Sequence, residues 1–364
     1  MNIKSRLAEL NVPDVLAPFG KKITVKEEFE LAKEGIKRLL QEEEYGYIPD
    51  KPEHLYIEKL STDEGFAAGR AIITQYVMHA IVRGQEVTFP FASIVPKRDG
   101  RIQTFVHIDF TPEIPSKGEP TEEIIDRGYA IFKICYRDVT SDDGDFTNGV
   151  AKILGRKRNT ANAPGKIAIW AWSIMRVIDF IETLDLYNPD ALAVIGHSRL
   201  GKTTLLAAAF DERIKFACVN NSGTCGDALS RGTRGETVAD ITRVFPYWFC
   251  PNFLKYANNE NSLPFDQHFL ISLVAPRCVL CGTAKQDVWA DPYSQFLSLT
   301  LTDGVYRLYG VNGLVHTDEI PEAPCKLQDG NCSFHTTTGK HYLGREDWNN
   351  YMDFIDEKLK QMRI

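Results

Sequence analysis

The sequence lacks the features of a membrane, exported or nucleic-acid-binding protein. No apolar run approaches the roughly eighteen residues that span a bilayer, and the first twenty residues carry charges and lack the continuous apolar core and small-residue cleavage site of a signal peptide. Acidic residues outnumber basic ones, with a formal net charge of −7 over 364 residues, which is the opposite of what a phosphate-rich partner requires. We therefore expect a cytoplasmic protein that binds neither membranes nor nucleic acids.

Signals for disulfides, metals and linkers are also scarce. The eight cysteines are scattered along the chain, and the Cys278-x-x-Cys281 pair lies in an apolar, strand-like segment with no second pair at zinc-finger spacing. We expect free thiols, no metal and no cofactor. No repeat or Gly/Ser-rich linker divides the chain, and 43% hydrophobic with 25% charged residues is typical of a globular protein with one large core.

The order of sequence patterns predicts an α/β protein. Residues 1–60 carry a helical apolar stripe, and residues 57–95 alternate in the manner of an antiparallel meander. From about residue 105, strand-like and helix-like segments alternate up to a final capped helix, which predicts a mainly parallel sheet with helices on both faces. We expect a helical extension over 1–60 packed on one domain over 61–364, with a cap-like insertion at about 227–262.

The stretch from Gly196 to Thr203, GHSRLGKT, fits two motifs. It matches the P-loop pattern between a strand and a helix, in which Lys202 and Thr203 would bind ATP and magnesium. It also holds the first half of the nucleophile elbow G-x-S-x-G in the same setting, with Ser198 as the nucleophile. Leu200 stands where the elbow has its second glycine, and Gly201 could serve one position later.

The remaining strands separate the two interpretations. Several strands precede the motif, whereas a P-loop usually follows the first strand. An α/β-hydrolase places an acid after a later strand and then a histidine, in the order Ser, Asp, His. Asp287, with Asp291 as the alternative, and His341 satisfy that order. His335 and His316 are weaker candidates for the base, and His107 could line the oxyanion side of the pocket or be a core histidine. His268 is predicted to be structural, and Ser198 could also be a plain helix cap.

Several short words of the sequence resemble the glucuronoyl esterases and their bacterial relatives, which are α/β-hydrolases. They are GHSRLGK, AFDERI, the S-G-x-x-G from Ser222 to Gly226, LPFDQH, APR and VWADP. The resemblance runs from about residue 105 to the end of the chain. It implies Ser198 as nucleophile, Arg199 at the oxyanion and Lys202 on the sugar.

The resemblance also implies a binding role for two further residues, with Trp289 against the uronate ring and Glu236 on the substrate. It departs from the fungal members at Asn221, where they carry the triad acid, and this directs attention to Asp287. The prediction is a serine carboxylesterase acting on a small or oligosaccharide ester, first of all a glucuronoyl ester. An O-acetyl esterase of xylan-type oligosaccharides is the alternative within the fold, and a P-loop nucleotide-binding protein is the alternative outside it.

Overall fold

A computed structural model describes residues 2–155, 158 and 160–362 of the chain. Within these residues, one mixed sheet has the strand order β1-β2-β3-β5-β4-β6-β7-β8-β10-β9. The six strands from β5 to β10 in that order are parallel, and antiparallel strands flank them on both sides. The strands are β1 (His54–Asp63), β2 (Ala71–Val82), β3 (Gln85–Pro96), β4 (Ile102–Asp109), β5 (Tyr129–Cys135), β6 (Tyr187–His197), β7 (Phe216–Asn220), β8 (Cys278–Ala284), β9 (Cys325–Leu327) and β10 (Cys332–Thr337).

Helices connect and cover these strands. They are α1 (Ile3–Leu10), α2 (Lys26–Leu40), α3 (Phe66–Gly69), α4 (Thr121–Asp126), α5 (Tyr136–Val139), α6 (Ala151–Leu154), α7 (Lys166–Ile181), α8 (Arg199–Phe210), α9 (Val238–Val244), α10 (His268–Ser272), α11 (Pro292–Thr300), α12 (Asp303–Leu308) and α13 (Arg345–Met362). A π-helical turn at Gln41–Tyr45 and 3-10 turns at Pro251–Tyr256 and Glu260–Ser262 complete the set. In the described ranges, no helix is long and apolar enough to cross a membrane.

The core lies on both faces of the sheet. On one face, α7 is apolar almost all round and is buried along most of its length, with α8 packed beside it. On the other face, α13 buries Trp348, Tyr351 and Ile355 in a cluster that includes Phe105 and Ile131 of the sheet. Burial of large apolar side chains is the main favourable term in folding, so these two helical layers hold the sheet in place. The functional loops follow the carboxyl ends of its parallel strands.

The predicted fold class is confirmed, including the antiparallel meander, which is β1 to β3. The eight cysteines are free thiols, as expected. The sequence patterns missed β10, which is short and follows a long irregular stretch, and they also missed α11 and α12. The P-loop interpretation is wrong, because β6 ends at His197 and α8 begins at Arg199, so there is no multi-residue loop whose amides could surround a phosphate.

The segment before β1 is tied to the loop that follows β7 by a buried polar network. Gln267 Nε2 donates to both carboxyl oxygens of Glu44 at 3.0 Å, and the Tyr45 hydroxyl donates to the Cys225 carbonyl oxygen at 2.9 Å. Burial raises the pKa of Glu44 to about 8. At neutral pH the folded protein therefore holds Glu44 mostly in its protonated form, whereas the unfolded chain ionises it.

This network predicts a pH effect on stability. Because the folded-state pKa of Glu44 lies above its unfolded value, its stabilising contribution is complete below about pH 4.5 and is lost as the pH rises through 8. Between pH 5 and pH 8.5, we expect the unfolding free energy of wild type to fall by roughly 2 to 4 kcal/mol more than that of Glu44→Gln, which has no carboxyl group to ionise at this position. Urea denaturation at both pH values measures this. The exposed Glu34→Gln is the control, and an equal pH dependence in wild type and Glu44→Gln would show the prediction to be wrong.

Candidate active site

Ser198 occupies a sharp turn between a strand and a helix. Its φ of 59° and ψ of −127° are rare for a residue with a side chain, and α8 starts at the next residue. The Ser198 amide donates to the Asn220 carbonyl oxygen at 2.8 Å, which fastens the turn to the end of β7. Such a strained strand-to-helix turn is the geometry of a nucleophile elbow.

Two glycines allow this turn to close. A Cβ on Gly196 would lie 2.3 Å from the Leu200 carbonyl oxygen, and a Cβ on Gly201 would lie 2.9 Å from the Ser222 Cβ. The missing second glycine of the motif at Leu200 is therefore replaced by Gly201, which lets α8 pack closely against the loop after β7. The sequence analysis suggested that Gly201 takes the role of the missing second glycine, and the close packing around Gly201 supports this interpretation.

The close packing around this turn predicts that adding one methyl group at Gly196 lowers the stability of the protein. Gly196→Ala forces a backbone shift in a fully packed region, and we expect it to lower the unfolding free energy by about 1 to 3 kcal/mol. Gly144→Ala is the matched control, because its Cβ would meet no atom within 4 Å. Thermal or urea denaturation measures both variants. Equal stability of the two variants would contradict the proposed crowding.

His341 and Asp287 meet although they are far apart in sequence. Asp287 follows β8, His341 lies between β10 and α13, and His341 Nδ1 is 2.6 Å from Asp287 Oδ2. The carboxylate is 5% exposed, while the imidazole is 44% exposed. A buried carboxylate on Nδ1 fixes the tautomer and leaves Nε2 to act as the base, which is the arrangement that a serine hydrolase uses.

The alternative acid has another role in this structure. Asp291 caps the N-terminus of α11, accepting from the Ser294 amide at 3.1 Å and from its hydroxyl at 2.6 Å. It also accepts from the Arg234 amide at 2.6 Å. The Asp291 carboxylate thus accepts hydrogen bonds from the start of α11 and from the loop around Thr233, whereas the Asp287 carboxylate contacts His341.

The other histidines that the sequence analysis considered contact different partners. His335 Nε2 lies 2.8 Å from Asp347 Oδ1 inside β10, and His107 Nδ1 lies 2.7 Å from Glu119 Oε2. His268 Nε2 lies 2.9 Å from the Pro13 carbonyl oxygen in the core, as the structural interpretation predicted. His316 is half-buried, with its Nδ1 against the Thr317 carbonyl oxygen.

Arg199 is held beside the serine by a carboxylate and an indole. Its guanidinium donates to the Asp142 carboxylate, and its central carbon lies 4.6 Å from the Trp248 ring centroid. Trp248 Nε1 donates to Asp142 Oδ1 at 2.7 Å, which closes the arrangement. Within the described part of the chain, Arg199 Nε is buried and has no hydrogen-bond partner. Arg199 lines the same cavity as Ser198, and its action on the oxyanion stays a prediction.

Lys202 and Glu236 bring opposite charges to the same place. Lys202 is 4% exposed and its Nζ donates to the Ser222 carbonyl oxygen. Burial lowers the pKa of Lys202 and raises that of Glu236, and the attraction between the two opposes both shifts. A hydrogen bond with the Trp289 side chain also lowers the pKa of Glu236, while Trp289 as a whole remains 56% exposed.

One cavity of about 390 Å³ contains every site residue proposed from the sequence except Asp291. Its size lies in the range of small-ligand pockets. Phe245 and Trp248, from the irregular 227–262 segment, contribute aromatic walls. In the ranges that the structure describes, no group of three potential metal ligands is present. The lining residues are Ser198, Arg199, Lys202, Asn221, Ser222, Gly223, Glu236, Phe245, Trp248, Asp287, Trp289, Ala290 and His341.

Three residues that sequence reasoning overlooked support this arrangement. The ring centroid of His197 lies 4.4 Å from that of His341, and His197 Nδ1 lies 2.6 Å from Asn220 Oδ1. Burial lowers the pKa of His197 to about 4, so this ring is neutral beside the base. The sequence did contain a signal for His197, because it is the middle residue of the G-x-S motif. Nothing in the local sequence pointed to Asn220 or to Asp142, whose partners are distant in the chain.

Asn221 stands where the resemblance implied an acid. Its Nδ2 donates to Asn220 Oδ1 at 3.0 Å and to the Tyr342 carbonyl oxygen at 3.4 Å. The side chain thus connects the end of β7 to the loop that carries His341. An amide cannot supply the negative charge that an acid of the triad provides, whereas Asp287 places a carboxylate against His341 Nδ1.

Comparison with known proteins agrees with this geometry. A family model described as glucuronyl esterase, fungi, matches residues 117–310. A carbohydrate esterase from an unknown prokaryotic organism is 40% identical over 241 residues, covering 65% of this chain and 55% of that relative. A 4-O-methyl-glucuronoyl methylesterase from Schizophyllum commune is 29% identical over 301 residues, covering 80% and 72%. The chain thus spans little more than half the length of the first of these relatives.

Solved structures match nearly the whole chain. A promiscuous CE15 esterase from the marine bacterial metagenome has a TM-score of 0.86 at 29% identity, covering 95% of this chain and 96% of that one. A CE15 glucuronoyl esterase from Teredinibacter turnerae T7901 has a TM-score of 0.88 at 26% identity, covering 96% and 89%. The sheet and the serine turn define a protein of the α/β-hydrolase class. The chain belongs to the glucuronyl esterase family, and the resemblance read from its sequence is confirmed.

Proposed function

We propose that this chain is a serine carboxylesterase that hydrolyses an ester of glucuronic acid. The observation that carries the proposal is the cavity in which Ser198 and the His341–Asp287 pair share walls with Arg199, Lys202 and other polar and aromatic groups. The family relationship supports the same chemistry, since a relative from Schizophyllum commune is a 4-O-methyl-glucuronoyl methylesterase.

The chemistry proceeds in two steps that use only the chain's own groups and water. His341 Nε2 takes the proton of Ser198 Oγ as the oxygen attacks the ester carbonyl carbon. The Arg199 amide and guanidinium stabilise the negative oxygen of the tetrahedral intermediate. When the C–O bond to the alcohol breaks, His341 returns the proton to the departing oxygen. Water, activated by His341, then cleaves the acyl-serine ester and releases glucuronic acid.

The charges in the cavity favour a sugar acid over a simple acyl group. Lys202 and Glu236 can donate to and accept from sugar hydroxyls, and Trp289 presents an exposed ring of the kind that packs on the apolar face of a sugar. An acetyl group has no hydroxyl and no ring, so it offers these three side chains nothing to bind. These groups therefore select a substrate whose acyl part is itself a sugar.

The proposal is tested with two substrates in parallel. Wild-type protein is expected to release methanol from methyl glucuronate with a higher kcat/KM than that for acetate release from an acetylated xylo-oligosaccharide. Gas chromatography of methanol and an enzymatic acetate assay give both rates. Faster acetate release would favour the O-acetyl esterase instead, and no hydrolysis of either ester would sink the proposal.

Glu236 provides a sharper prediction about the sugar. Hydrogen bonds to a charged acceptor are stronger than those to an amide, so we expect Glu236→Gln to raise KM for methyl glucuronate about tenfold. Because p-nitrophenyl acetate has no sugar, its hydrolysis should keep the wild-type rate. Exposed Glu27→Gln serves as the control for a lost surface charge. If KM rose for both esters alike, Glu236 would have no role in recognising the sugar.

A further inference from the structure

The loop that carries His341 runs from the end of β10 to the start of α13. Its first residues are held by the segment after β8, because the Lys285 amide donates to the Thr337 carbonyl oxygen at 2.8 Å and the Gln286 amide donates to the Gly339 carbonyl oxygen at 3.0 Å. The parallel pairing of β10 with β8 stops at Thr337, before the loop reaches His341. The position of the base therefore depends on what joins the two ends of the loop.

The carboxylate of Asp347 joins these two ends. Asp347 is the third residue of α13, and its Oδ2 accepts from the Gly344 amide at 2.9 Å, which ties the end of the loop to the helix. Its Oδ1 lies 2.8 Å from Nε2 of His335 on β10. Because a carboxylate only accepts hydrogen bonds, His335 Nε2 carries a proton and is the donor. One side chain thus bridges the strand before the loop and the helix after it, and His341 lies midway between His335 and Asp347 in the sequence.

The His335–Asp347 pair is buried and closely packed. The two side chains are 2% and 7% exposed. The His335 ring centroid lies 5.1 Å from that of Tyr351, and a Cβ on Gly282 would lie 2.7 Å from two atoms of the His335 ring. The ring therefore has little room to turn, and a buried carboxylate that lost its donor would keep the full cost of its desolvation. The bridge between the two ends of the loop is thus both rigid and strong.

The chemistry requires this rigidity. Proton transfer from Ser198 needs His341 to be held within roughly 0.5 Å of its productive position. The Asp287 carboxylate contacts the imidazole itself at 2.6 Å, whereas the contact from Asn221 Nδ2 to the Tyr342 carbonyl oxygen is longer, at 3.4 Å. The backbone around His341 therefore depends on the two ends of its loop, which the buried pair connects.

We propose that His335 and Asp347 are positioning residues, whose hydrogen bond holds His341 where it can accept the proton of Ser198. The proposal rests on the esterase function above. Among the described residues, both lie outside the group that lines the cavity of Ser198, so they act through His341 and not on the substrate. Breaking their hydrogen bond should therefore lower kcat and leave KM for the sugar ester unchanged.

Two variants of His335 with unbranched side chains of equal length test the hydrogen bond itself. His335→Gln keeps an N–H donor close to the place of the imidazole Nε2, whereas His335→Met keeps the length and has no donor. We expect His335→Met to lower kcat for methyl glucuronate and for p-nitrophenyl acetate alike, by about ten- to hundredfold. KM for methyl glucuronate should stay within about twofold of the wild-type value. His335→Gln should recover most of the lost rate.

The rates are expressed per reactive serine, counted by complete labelling with a fluorophosphonate. A merely structural role would lower the number of folded sites and leave the rate per site unchanged. Wild-type rates per site in His335→Met, or a His335→Gln protein as slow as His335→Met, would overturn the proposal while the esterase function stands. A wild-type protein that cleaves neither ester would overturn both.

A matched pair on α13 covers the case in which His335→Met does not fold. In Asp347→Asn an amide nitrogen would face one of the two donors, and we expect kcat per site to fall about tenfold. Asp356→Asn makes the same change further along the helix, where the carboxylate accepts from Arg127 and Tyr129 at 2.6 Å, and it should keep the wild-type kcat. Equal rates per site in the two variants would contradict the positioning role.

Discussion

Ser198→Ala is expected to lower kcat for methyl glucuronate by about a million-fold, because no other hydroxyl occupies the turn between β6 and α8. The residual rate would come from the oxyanion donors and from substrate binding alone. The hydrolysis of p-nitrophenyl acetate should fall in parallel, since both esters need the same nucleophile. Stopped assays at high enzyme concentration measure the remaining rate.

The control for this variant separates chemistry from folding. Alanine keeps the backbone of the turn, so the melting temperature of Ser198→Ala should stay close to that of wild type. Ser262→Ala, in a 3-10 turn outside the cavity, should keep full activity. A Ser198→Ala protein that is folded and retains its activity on both esters would exclude Ser198 as the nucleophile.

Asp287→Asn is expected to lower kcat about ten-thousand-fold, since an amide in place of the carboxylate favours the wrong imidazole tautomer and cannot stabilise the imidazolium. Asp291→Asn should keep kcat near the wild-type value and instead lower the melting temperature. The reason is that Asp291 accepts hydrogen bonds at the start of α11 and does not touch His341.

The two variants form a matched pair, because each replaces a buried carboxylate by its amide four residues apart. Initial rates and thermal unfolding of both proteins give the comparison. The opposite ranking, with kcat lost in Asp291→Asn and kept in Asp287→Asn, would move the acid of the proposed triad to Asp291.

Much of the fold could be read from the sequence because its signals are local. The alternating apolar residues of β2 and β3 and the stripe along α2 follow from the repeat of a strand and a helix. The serine turn was recognisable because Gly196 stands two residues before Ser198, between a strand-like and a helix-like segment, even though the second glycine is displaced by one position to Gly201. In contrast, β10 has only six residues and β9 only three, and although the turn signal Asp329-Gly330 lies between them, the sequence analysis did not use it, so β10 was missed together with the burial of His335.

The partners of the site could not be read in the same way, because they depend on long-range contacts. Asp142 is 57 residues from Arg199, and nothing in its loop distinguishes it from the neighbouring acids. His197 was visible beside the serine, but its closeness to His341 follows only from how β6 and the loop before α13 meet. The order of Ser198, Asp287 and His341 was readable because the hydrolase topology itself fixes it.

The most direct measurement is the site of covalent modification by a fluorophosphonate, which reacts with an activated serine. Intact mass and peptide mapping should show one adduct on the peptide that contains Ser198. Modification should be slowed by methyl glucuronate and should abolish methanol release in proportion to labelling. An adduct on another residue, or methanol release that persists after Ser198 is fully labelled, would contradict the proposed mechanism.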